Sequence, residues 1–245
     1  MEELLVFLTL CGQNLEEVGT ELYRAKELGI SNFEIREDLL PFNVIAGEKV
    51  SNNFIKYLRQ INNDNENPRI IFTAAKGLSI KDNEKYLRDL WLVLEFLAEI
   101  KSEIYIDLDF SIEKPILVRA RDMVRAKDLG LIISVHNYES LPGYEETLTL
   151  LKDMKVHDPD IIKFAAMTGN REDLEVLRRA SGDFKRLYKG QKLAIIGMGK
   201  EGMETRLKPA SFASCLAYTS FGSKAAPGQV EPEQYLKALK NKTLS

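Results

Sequence analysis

The chain has 245 residues, 44% of them hydrophobic and 29% charged, with a net charge of −3. So balanced a charge gives no sign of a polyanion-binding patch, and nucleic acid is not an expected partner. No apolar run nears the roughly 20 residues of a membrane-spanning helix, and the opening MEELLVFLTL, with two acids and no basic segment, does not read as a secretory leader. The two cysteines, Cys11 and Cys215, have neither metal-ligand nor disulfide spacing, which points to a reducing cytoplasmic compartment. Two histidines, His136 and His157, are too few for a histidine-rich metal site.

In chain order, short apolar runs predict eight strands. They begin at Leu4 (LLVFLTL), Asn32 (NFEIRED), Arg69 (RIIFTAA) and Glu103 (EIYIDLDF), then at Leu129 (LGLIISVHN), Asp160 (DIIKFAAM), Lys192 (KLAIIGMG) and Ser214 (SCLAYTSFG). Most are continuously hydrophobic, as parallel strands buried on both faces must be. Amphipathic helical stretches lie between them at Leu15–Leu28, Glu84–Ile100, Ile116–Leu129 and Leu174–Tyr188. Eight strands in 245 residues give about 31 residues per repeat, the length of an ordinary βα unit. With no linker or composition shift, the expectation is α/β: one domain over 1–245, a single (β/α)8 TIM barrel. A doubly wound open sheet is the competing architecture.

In such a barrel the strands are buried on both sides, so a polar strand residue needs a partner or a task. The second strand has Glu34, Arg36 and Asp38 on one parity, and the fourth has Asp107 and Asp109. The fifth ends at His136, and the sixth carries Lys163 between apolar neighbours. Desolvation at Lys163 disfavours the ammonium form and makes the amine a nucleophile toward carbonyls. The structural alternative is an ion pair with Asp107 or Asp109. His136 reads either as a general acid/base or as a structural histidine. An interior lysine and a strand-end histidine on adjacent strands together favour Schiff-base chemistry.

Two further patterns weigh less. Gly197, Gly199 and Gly202 spell GxGxxG after a strand, but on the seventh strand, and no acid follows at ribose-binding distance. These glycines are expected to let the backbone turn at the barrel mouth. Glu34, Asp107, Asp109 and His136 could in principle hold a divalent metal, but Arg36 and Lys163 would oppose a cation, so no metal is expected.

Taken in order, these motifs resemble the type I 3-dehydroquinate dehydratases, Schiff-base enzymes of the shikimate pathway. FEIRED matches their second strand at Glu34, Arg36 and Asp38, IFT at Ile71–Thr73 their third, and YIDLD at Tyr105–Asp109 their fourth. SVHNY carries the family histidine at His136, DIIKFAAM the Schiff-base lysine at Lys163, GMGKEGMETRL the carboxylate-binding arginine at Arg206, and APGQ ends at Gln229. The resemblance implies that Lys163 forms an iminium with 3-dehydroquinate and that His136 moves the protons of a syn elimination of water. It implies that Arg206 and Gln229 hold the carboxylate while Glu34 and Arg36 hold the ring hydroxyls. It also implies a cytoplasmic homodimer that needs no cofactor.

Three positions depart from the family pattern. Ala75 stands where the family has an arginine, with Lys76 or Lys81 as stand-ins. The following segment, KGLSIKDNEKY, lacks the family glutamate, and Ala225 replaces a serine. The loss at position 75 keeps two other readings open: a Schiff-base lyase or aldolase acting on a related keto acid, and a non-catalytic barrel that binds a carboxylate through Arg206. A metal-dependent lyase built on the acidic cluster is a third.

Overall fold

In a computed structural model, residues 4–65, 67–74, 82–222 and 225–242 are described. The expectations at Ala75, Lys76 and Lys81 lie outside them. The elements run β1 (Leu5–Thr9), α1 (Leu15–Glu27), β2 (Asn32–Arg36), β3 (Ile45–Ala46), β4 (Lys49–Val50), α2 (Asn52–Asp64), β5 (Arg69–Ala74), α3 (Asn83–Ala98), β6 (Glu103–Asp109) and α4 (Lys114–Ala126). They continue with β7 (Gly130–Asn137), α5 (Tyr144–Lys155), β8 (Ile161–Met167), α6 (Arg171–Leu187), β9 (Lys192–Met198), α7 (Met203–Leu207), β10 (Leu216–Thr219) and α8 (Pro232–Lys242). Eight of the ten strands form one sheet in the order β10-β1-β2-β5-β6-β7-β8-β9, and β3 and β4 form a separate hairpin. Strand–helix alternation with each new strand laid beside the last is the (β/α)8 pattern.

The chain divides into two compact units, Leu8–Ile132 and Met1–Phe7 with Ile133–Ser245. In the first, β2 pairs in parallel with β5, and β5 with β6. Phe33, Phe54, Ile35 and Phe72 are fully buried there, and the Phe54 and Phe72 rings meet at 5.6 Å. In the second, β8 pairs in parallel with β9 from Ile161↔Lys192 to Met167↔Met198. There β10 is tied to β9 by the Cys215 amide donating to the Leu193 carbonyl (2.8 Å), and to β1 by the Leu5 amide donating to the Cys215 carbonyl (2.9 Å).

Local chemistry sets the element ends. Asn14, Ser51, Asp82 and Asn170 each cap a helix by accepting an amide hydrogen bond from the third residue on. After α1, α4 and α5 the chain reverses through left-handed residues, Gly29, Asp128 and Asp158. Two expectations are corrected here. The second strand stops at Arg36, and Glu37–Leu39 forms a 3-10 turn, so Asp38 does not extend the strand's alternation. The eighth barrel strand is only Leu216–Thr219, because Pro209–Phe212 forms a 3-10 turn and Ala213 takes φ 54° just before it.

Candidate active site

In the first unit the polar strand residues are held by short local bonds. Glu34 is buried, and both of its oxygens are engaged: Thr9 Oγ1 donates to Oε2 at 2.7 Å, and Thr73 Oγ1 donates to Oε1 at 3.2 Å. Thr9 pairs with Glu34 across β1 and β2, while Thr73 pairs with Arg36 across β2 and β5. Arg36, at the end of β2, forks onto both oxygens of Asp38, from Nε at 3.1 Å and from Nη2 at 2.6 Å. Asp38 thus leaves the strand and orients the arginine. Asp107 is fully buried, and Asp109 accepts the Ser111 amide at 2.8 Å.

One carboxyl just past the end of β2, that of Glu37, is displaced from the ordinary carboxylate range. Burial first, then the neighbouring Asp38 and Asp89 charges, push the Glu37 carboxyl up to about 7, with Lys85 acting in the opposite sense. Asp89 is itself buried and ion-paired with Lys85. Burial and the nearby Glu21 and Glu34 push the Cys11 thiol up to about 12, so it is a packing residue rather than a nucleophile. Cys11 and Cys215 are both buried thiols.

In the second unit, Lys163 lies in the middle of β8, in a strand whose residues are all buried except half-buried Met167. Its register partner in β9 is Ala194. Nζ sits 4.7 Å from the centroid of the Tyr218 ring. His136 is half-buried near the end of β7. Asn137 follows and closes an Asx turn by accepting the Glu139 amide at 3.1 Å and the Ser140 amide at 3.3 Å, which terminates the strand directly after the histidine. The Tyr138 ring lies nearly parallel to that of His136, with centroids 6.2 Å apart.

The GxGxxG segment has a structural explanation. Gly199 takes φ +82°, and a side-chain carbon on Gly202 would stand 2.3 Å from the Gly197 carbonyl carbon. The glycines therefore let two backbone stretches touch, and Thr205 Oγ1 fastens them by accepting from the Gly197 amide and donating to the Gly202 carbonyl, both at 2.8 Å. This contact sets α7, which delivers Arg206 as a buried side chain. Arg206 Nη2 donates to the Pro227 carbonyl at 3.2 Å, and the Gly199 amide reaches the same oxygen at 3.3 Å. The buried Gln229 braces the same loop, its Oε1 accepting the Ala226 amide at 3.0 Å. The structure thus joins Arg206 to the loop of Gln229. Sequence reasoning missed Tyr218, Thr9, Thr205 and Glu37. An aromatic residue within the short apolar run of the last strand was the one available signal for Tyr218.

The alternation and strand order define the class, a (β/α)8 barrel with a lysine buried in its sixth barrel strand. Comparison with known proteins then names the family. The family model of type I 3-dehydroquinase matches residues 6–244. The 3-dehydroquinate dehydratase of Methanococcus maripaludis is 34% identical over 183 residues, 71% of this chain and 76% of that protein. That of Methanosarcina acetivorans is 27% identical over 218 residues, 88% of this chain and 87% of the relative. In structure, the type I 3-dehydroquinate dehydratase of Clostridium difficile, solved with covalently modified comenic acid, superposes with a TM-score of 0.83 at 19% identity, covering 99% of this chain and 93% of that one. The chain belongs to the type I 3-dehydroquinase family. Its fold is the (β/α)8 barrel.

Proposed function

We propose that this chain performs its family's hydro-lyase reaction, converting 3-dehydroquinate to 3-dehydroshikimate and water, with Lys163 as nucleophile and His136 as proton carrier. The observation that carries the assignment is the side chain of Lys163, amid the apolar wall of β8 with its amine over an aromatic ring. The neutral amine adds to the C3 carbonyl carbon, and loss of water from the carbinolamine leaves an iminium. His136 takes the C2 proton, and the electron pair moves into an enamine. The enamine expels the C1 hydroxyl, which His136 protonates to water. A second water then hydrolyses the iminium and restores the amine. Arg206 is assigned the substrate carboxylate, a group its planar fork suits, with Gln229 supporting the loop beside it. Glu34 and Arg36 are assigned the ring hydroxyls. Their hydrogen bonds to Thr9, Thr73 and Asp38 support this role, because they hold both side chains in one orientation.

No step calls on a metal or a cofactor. A cytoplasmic homodimer completes the reading. Buried thiols support a reducing compartment, and among the described residues no helix is long and apolar enough to cross a membrane. Turnover is read from the near-ultraviolet absorbance of the conjugated product. The purified chain is expected to convert 3-dehydroquinate, and Lys163→Ala is expected to leave no measurable rate. Full activity in Lys163→Ala would end the assignment.

A further inference from the structure

The ring of Tyr218 faces the one amine on which the proposed reaction turns. Nζ of Lys163 stands 4.7 Å from its centroid, inside the range of about 6 Å over which a cation is drawn to a π face. Both side chains are buried, each 4% exposed, so little water screens the attraction. The arrangement is braced from two sides. Phe7 packs against Tyr218 with ring centroids 6.1 Å apart. Beside Tyr218, Thr219 fixes β10 by donating from Oγ1 to the Phe7 carbonyl at 3.3 Å. On β9, which pairs with β8 and is tied to β10, the residue in register with Lys163 is Ala194, with a single methyl as its side chain.

A π face discriminates between charge states. It attracts an ammonium or an iminium and gains little from a neutral amine or carbinolamine. In the Schiff-base reaction the positive charge on Nζ must persist from imine formation until the C2 proton has left. We propose that Tyr218 is the positioning residue of this step, its ring seating the charged nitrogen of Lys163 in the iminium intermediate. The role belongs to the ring and not to the hydroxyl. This inference rests on the assignment of Lys163 as nucleophile.

The test uses the full chain with 3-dehydroquinate, and reads kcat, KM and the single-turnover yield of borohydride-reduced adduct on the Lys163 peptide. Tyr218→Phe is expected to keep kcat within about threefold, and Tyr218→Leu to lower it about 30-fold with KM little changed. A second series places phenylalanine and its mono-, di- and trifluorinated forms at position 218. Fluorine drains the π face while nearly preserving ring size, so kcat and adduct yield are expected to fall stepwise with each substitution. A purely structural ring would not respond in this way. If the unmodified chain forms the adduct while the fluorinated series stays flat, the Tyr218 proposal fails and the Lys163 assignment stands. If the unmodified chain forms no adduct, the Lys163 assignment fails and takes this inference with it.

Discussion

At the residue scale, chemistry and support can be separated by substitution. Lys163→Ala should abolish adduct formation, because no other group in β8 can attack a carbonyl. His136→Ala should leave a slow adduct but stall turnover by two to four orders of magnitude, the usual worth of a positioned acid/base; single-turnover trapping alongside steady-state rates would separate the two steps. Thr9→Val removes the 2.7 Å donor to buried Glu34 and should cost about 1–3 kcal/mol in a denaturant titration, because the carboxylate loses a partner it cannot regain from water. Glu37 gives a pH signature. A carboxyl whose pKa rises on folding, from 4.5 to about 7, is one the folded state prefers protonated. Its contribution is therefore favourable below about 4.5 and is lost as pH climbs through about 7. Glu37→Gln should accordingly gain stability of about 1–2 kcal/mol at pH 8 and nothing near pH 4.5, measured by urea unfolding at both values.

At the element scale, the glycines of the seventh barrel strand tie packing to ligand binding. Gly202→Ala drives a methyl into the Gly197 carbonyl and must displace α7, which carries Arg206. The expected result is a loss of about 1–3 kcal/mol in stability together with a raised KM, read by thermal unfolding and steady-state kinetics. This region also shows how far a sequence can be read. All eight barrel strands were visible because continuous apolar runs have few other uses, and the charged interruptions at Glu34, His136 and Lys163 stood out against them. The β3–β4 hairpin was not visible, since two-residue strands have no periodicity to detect; only Gly47, at φ +67°, marks its turn. Asp38 was misplaced because alternation assumes that the strand continues, and a 3-10 turn at Glu37 breaks it. The roles of Thr9 and Thr73 depend on register between strands 25 and 39 residues distant from or toward Glu34, which no local pattern encodes. Tyr218 was passed over for a related reason: a tyrosine in an apolar strand reads as core until its ring is found against a lysine.

At the scale of the whole molecule, membership of the type I 3-dehydroquinase family rests on a match across residues 6–244 and on a barrel shared with its solved members. We propose that residues 1–245 unfold as one cooperative domain, so melts followed by far-ultraviolet circular dichroism and by tyrosine fluorescence should coincide. The central claim is covalent chemistry at one lysine. Mixing the chain with 3-dehydroquinate, reducing with sodium borohydride and mapping the modified peptide by mass spectrometry tests it most directly. A single adduct is expected on the peptide containing Lys163, absent from Lys163→Ala. A folded, unmodified protein, or an adduct on a different lysine, would contradict that claim.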